Sequence, residues 1–129
     1  MTIPDLWPDD LNEKSNLIMP LTILREQAAA LSQRTNGLVE GYVHTVKAQN
    51  GAAFEHTFFL VAPSLDNYSV PLLSISHPLG GYPATVRSKH LATAIKASSD
   101  KGVVALLRKI FSDPRTKKIV QALIAQSKS

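Results

Sequence analysis

Metal binding and proton transfer in this chain would fall to four histidines, its hydroxyls and ten carboxylates. His44 and His56 invite a shared ion, since imidazole suits zinc and copper. Asn50-Gly51 decides against it. A two-residue type I′ turn needs positive φ at both central positions, which Asn and Gly tolerate, and a turn there sets residue 44 opposite 57 and 45 opposite 56. Side chains alternate faces along a strand, so the two rings project from opposite sides of the ribbon. No carboxylate stands at ligand spacing beside either, and no metal site is expected.

Ser74, Ser76, His77 and Asp66 contain the ingredients of a nucleophile, a base and an orienter, but neither serine has the glycine-flanked elbow that exposes a nucleophile. Gly80-Gly81 lacks the further glycine spacing and the Lys-Ser/Thr pair of a phosphate-cradling loop, and reads as a turn. The carboxylates Asp9, Asp10 and Glu13 lie near the start, while Glu40 and Glu55 border the hairpin. None forms a pair whose surroundings would raise one acid above its partner. Cysteine is absent, which removes thiolate metal sites, iron–sulfur clusters, disulfides and a thiol nucleophile. No catalytic residue and no cofactor is assigned, and the chain leans away from an enzyme; a loop-built site near His77 is the enzymatic alternative.

The elements that position these groups centre on the hairpin from Leu38 to Ala62. Its register places Val43 opposite Phe58, Gly41 opposite Leu60 and Val39 opposite Ala62 on an apolar face that should pack on helices. The other face pairs Tyr42 with Phe59, His44 with Thr57 and Val46 with Glu55, so it is mixed and expected to be wet or partly covered. Gly41 marks a bulge or a close helix approach. Before the hairpin, Pro20 suits a first helical turn, and Leu21, Leu24, Ala28 and Leu31 recur at helical steps. A helix from 20 to about 34 follows, stopped by Asn36-Gly37, with Ala28, Ala29 and Ala30 small enough to approach the hairpin closely.

Residues 1 to 19, broken by Pro4 and Pro8, read as an extended arm. Ile3, Leu6 and Trp7 are expected against the core, with an exposed arm that docks a partner as the alternative. Tyr68 to His77 reads as a third strand in which Pro71 signals an edge or bulge, residues 77 to 83 as a loop, and Ala84 to Arg87 as a short fourth strand. Three C-terminal helices are expected, capped by Ser88, Asp100 and Asp113, the last followed by Pro114. The order predicts one α+β domain over residues 1 to 129: an N-terminal helix, an antiparallel meander of three to four strands, and two to three C-terminal helices.

Charge is divided along the chain. Residues 1 to 86 carry four cations and eight carboxylates, and residues 87 to 129 carry ten cations and two carboxylates, within a total of +4. Arg108, Lys109, Arg115, Lys117 and Lys118 are therefore candidates for nucleic acid or an acidic protein partner. A joint too short for a helix-turn-helix and the lack of aromatics among these cations weigh against nucleic acid.

A non-enzymatic protein-binding or regulatory module is the first expectation, with Tyr42, Phe59 and Val61 as the contact for self-association or a protein partner. Nucleic-acid binding through the basic helices is the alternative. Without a basic leader before Lys14 or a membrane-spanning apolar run, a soluble cytoplasmic protein with no membrane partner is expected.

Overall fold

The computed structural model describes residues 2–13 and 16–129. Helix α1 (Pro20–Arg34) begins with Pro20 at its first turn and ends where Asn36 and Gly37 take positive φ, 53° and 78°. Thr35 closes the corner into the sheet. Its hydroxyl donates to the Val39 carbonyl at 2.8 Å and accepts from the Val39 N–H at 3.1 Å. The buried stripe of α1 includes Ile23 beside Leu24, with Ala28 and Leu31 half-buried, so the apolar line is rotated slightly from the one the spacing predicts.

Strands β1 (Glu40–Ala48), β2 (Ala53–Ala62), β3 (Tyr68–Pro78), β4 (Ala84–Arg87) and β5 (Ile95–Ala97) follow in spatial order β1-β2-β3-β4-β5, every neighbouring pair antiparallel. Asn50 at φ 58° and Gly51 at φ 84° turn the first hairpin. Its register is the one the turn dictates, with Val43 opposite Phe58, His44 opposite Thr57 and Thr45 opposite His56. Phe58, Leu60 and Ala62 are buried on the inward face, together with Val39 just before β1.

Gly41 is the point of closest helix approach. A Cβ built there would lie 2.6 Å from the Ala28 Cα and 2.8 Å from the Phe58 ring, so α1 can rest on β1 only because this residue has no side chain.

Pro71 marks a bulge. Phe59 pairs with Pro71 but Phe58 pairs with Leu73, leaving Leu72 as an extra residue in β3. A proline on a central strand is tolerated there, and the extra residue reverses which side chains face inward beyond it. Leu72 and Leu73 are consequently both buried, and from Leu73 on the inward residues are Leu73, Ile75 and His77.

Two helices complete the chain, α2 (Asp100–Ser112) and α3 (Pro114–Ser127). Ser99, one residue before the expected Asp100, caps α2 by accepting from the Gly102 N–H, and Asp113 caps α3 by accepting from the Arg115 N–H. The helix expected from Ser88 to Ser98 is absent. The Ser88 hydroxyl is spent on a turn, donating to the Leu72 carbonyl at 2.8 Å and accepting from the His90 N–H at 3.2 Å. Ile95–Ala97 pairs with the otherwise open edge of β4 and becomes a fifth strand. Helix α1 lies over β1, α3 over β2, and α2 over β4 and β5, and their shared core is the inward face of the sheet.

The arm also differs from expectation. Ile3, Leu6 and Trp7 are 77%, 81% and 72% exposed rather than set on the core. Backbone hydrogen bonds of this stretch are local: the Trp7 N–H donates to Asp5 Oδ1 at 3.0 Å and the Glu13 N–H to the Asp10 carbonyl at 3.1 Å. Among the described residues no helix is long and apolar enough to cross a membrane.

Candidate functional site

Because the core lies on one side of the sheet, its other side stays open to solvent, and cross-strand pairing sorts that side into rows. One row is Tyr42–Phe59–Pro71, a second His44–Thr57–Ser74–Arg87, and a third Val46–Glu55–Ser76–Thr85–Lys96. The first is apolar, the second polar, and the third polar apart from Val46 at its β1 end. Tyr42 is 54% exposed, its ring centroid 6.2 Å from that of Phe59 and 6.4 Å from that of His44. Val61 lies beside the first row, half-buried like Phe59. The three residues singled out as a contact therefore come together at the β1–β2 end of a face that carries no helix.

The inward face holds a feature the sequence reading missed. His56 and His77, 2% and 9% exposed, meet diagonally across β2 and β3 with their Nε2 atoms 2.7 Å apart. His77 Nδ1 lies 2.6 Å from the Pro78 carbonyl, which can only accept, so Nδ1 carries the proton and Nε2 is bare in the neutral ring. His56 Nε2–H then donates to His77, and His56 Nδ1 accepts from the Thr45 hydroxyl at 2.8 Å. The result is a directed chain, Thr45 to His56 to His77 to Pro78. Burial foremost, then the charge of His77 and of Arg25, pushes the His56 pKa down to about 4. Charging both rings would set N–H against N–H at 2.7 Å. Walled in by Phe54, whose ring lies 5.7 Å from that of His77, the pair bridges strands and offers little surface to a solute.

His44, by contrast, is exposed on the open face, so the turn register separates it from His56 as expected. No group of three or more metal-ligating side chains occurs among the described residues. The ingredients near His77 are likewise dispersed. His77 lies in β3, as the strand reading from Tyr68 to His77 has it, and faces inward, whereas Ser74 and Ser76 face outward and Asp66 sits in the β2–β3 connection at φ 57°. Ser76 Oγ accepts from Arg87 at 3.3 Å, and Gly80-Gly81 leads into β4 rather than a helix. These groups form no nucleophile, base and orienter.

Arg108 and Lys109 on α2 and Arg115, Lys117 and Lys118 on α3 are all exposed. Arg115 is held by Asp113, Nε to Oδ1 at 3.0 Å and a terminal nitrogen to Oδ2 at 2.9 Å. That guanidinium keeps the Asp113 carboxyl well below the usual carboxylate range. Buried Thr116 ties the same corner to the turn after β4, donating to the Ile110 carbonyl at 2.7 Å and accepting from His90 Nδ1 at 2.8 Å.

An α+β domain with an open antiparallel face is the class that fold and site define. Comparison with family models, curated proteins and solved structures returns no match.

Proposed function

We propose that this chain is a non-enzymatic protein-binding module that engages a second copy or another protein through the open sheet face around Tyr42, Phe59 and Val61. The observation that supports it is the exposed Tyr42 ring lying against Phe59 in an apolar row, with Val61 on one side of it and a polar row on the other. A rigid aromatic centre with a polar rim is how protein contacts concentrate their energy. The dispersal of Ser74, Ser76, His77 and Asp66 favours binding over catalysis.

Light scattering over a concentration series tests the self-associating form. A mass that rises with concentration for the native chain and stays that of a monomer for Tyr42→Lys supports it. A native monomer throughout would leave only a different protein as the partner.

Exposure of all five basic residues on α2 and α3 favours nucleic acid as the second reading. Retention on DNA or RNA that falls steeply with salt, and falls further on Lys117→Glu/Lys118→Glu, would support it through counterion release. No retention at low salt would end it.

A further inference from the structure

Two surfaces distinct from the sheet face are left unmatched within one chain. The first is the arm. Ile3, Leu6, Trp7 and Leu11 are 77%, 81%, 72% and 59% exposed, and they alternate with Asp5, Asp9, Asp10 and Glu13. Four large apolar side chains in so short a stretch are costly to hold in water unless something covers them. The arm departs from a fixed point, because the Ile18 N–H donates to Asp100 Oδ2 at 3.0 Å and the Ile18 carbonyl accepts from the Tyr82 hydroxyl.

The second is a groove between α1 and α2. It encloses about 470 Å³ and adjoins a cavity of about 250 Å³ that reaches toward the sheet and α3, the two sharing Gln27, Arg34 and Phe111. The apolar lining of the groove includes Ile23, Leu107 and Phe111, with Leu31 in the adjoining cavity, and Arg34 and Arg108 stand among the groove's lining residues. No carboxylate lines either cavity.

We infer that the acidic arm of one copy docks in the α1–α2 groove of a second copy. The two surfaces match in both respects that govern such contacts. Apolar anchors on the arm meet an apolar floor, and the arm's aspartates meet Arg34 and Arg108, a guanidinium being the cation best shaped to bind a carboxylate. Within one chain the arm leaves its own groove open, so a second copy is the occupant. Of the arm's anchors, Trp7 is the one expected deepest in the groove, because a rigid aromatic contributes most contact per ordered side chain.

Trp7 is also the sole tryptophan, which makes the experiment direct. Trp7 emission and light-scattering mass are followed together across a dilution series of the full chain. With rising concentration the emission should shift to the blue in step with appearance of a dimer. Arg34→Glu/Arg108→Glu and Asp9→Arg/Asp10→Arg should each remain monomeric with solvent-like emission, and an equimolar mixture of the two should regain both signals. Far-UV circular dichroism reports whether the groove variant folds; if it does not, the arm variant, altered outside the folded body, supplies the same reading alone. Emission that stays solvent-like at every concentration overturns the inference, as does a blue shift independent of concentration, which would place the arm in its own groove. A dimer abolished by Tyr42→Lys but indifferent to the charge reversals also overturns it, while leaving the sheet-face reading intact.

Discussion

His56 is neutral because it is buried and already donates to His77, and this sets how the fold answers acid. An unfolded chain takes up a proton near the ordinary histidine value of 6.5, whereas the folded one resists until about 4. The unfolded state therefore binds more protons between those values, and stability, complete above about 6.5, is lost as pH falls toward 4. The loss is on the order of 3 kcal/mol at the acid end, to be read from urea midpoints at successive pH values. His56→Leu alone should cost about 1–3 kcal/mol even at neutral pH, because it strands His77 Nε2 without a partner. His56→Leu/His77→Leu together should restore part of that stability and flatten the acid step. The pairing of these rings was not legible in the sequence. It depends on the register between β2 and β3, which no two-residue turn dictates, and on the extra Leu72, without which His77 would face solvent. Alternation did place His56 inward, since the turn at 50–51 fixes the phase of β2.

Among the elements, the contact between α1 and β1 depends on Gly41. Gly41→Ala adds a Cβ less than 3 Å from backbone and ring atoms, so helix and strand must separate. Overpacking of this kind costs about 1–3 kcal/mol, measurable as a lower denaturant midpoint with an unchanged slope; a midpoint equal to that of the native chain would show that α1 shifts freely. The first helix, the hairpin and the last two helices could be read from strong local signals: Pro20, Asn36-Gly37, Asn50-Gly51 and Asp113-Pro114. What failed was the stretch from Ser88 to Ser98, where a capping residue and helical composition lost to a sheet edge needing a partner. Tertiary pairing outweighs a weak local preference of that kind. The arm was misread for the converse reason. Hydrophobic type alone predicts burial, but the core formed by the sheet and three helices closes without Ile3, Leu6 and Trp7.

At the scale of the whole molecule, three helices on one face of a five-stranded meander leave the opposite face open to solvent. The charge division survives folding only in part. Arg115 is satisfied by Asp113, while Arg108, Lys109, Lys117 and Lys118 remain outward. The candidate contact was legible because Tyr42, Phe59 and Val61 share the hairpin's phase. Whether a helix or the arm would cover them was not, since that depends on the placement of segments far away in the chain. Tyr42→Lys should weaken binding by about tenfold or more, as removal of a central aromatic anchor does, with folding stability nearly unchanged because the ring is already half in solvent. The most direct test replaces Tyr42 with a photoreactive phenylalanine analogue in the full chain and illuminates native cells. The sheet-face account predicts a discrete protein adduct, to a second copy or to one other polypeptide, that disappears when excess unlabelled native chain competes. Adducts to nucleic acid, or no adduct from position 42 while a probe on α3 at position 118 is captured, would contradict it.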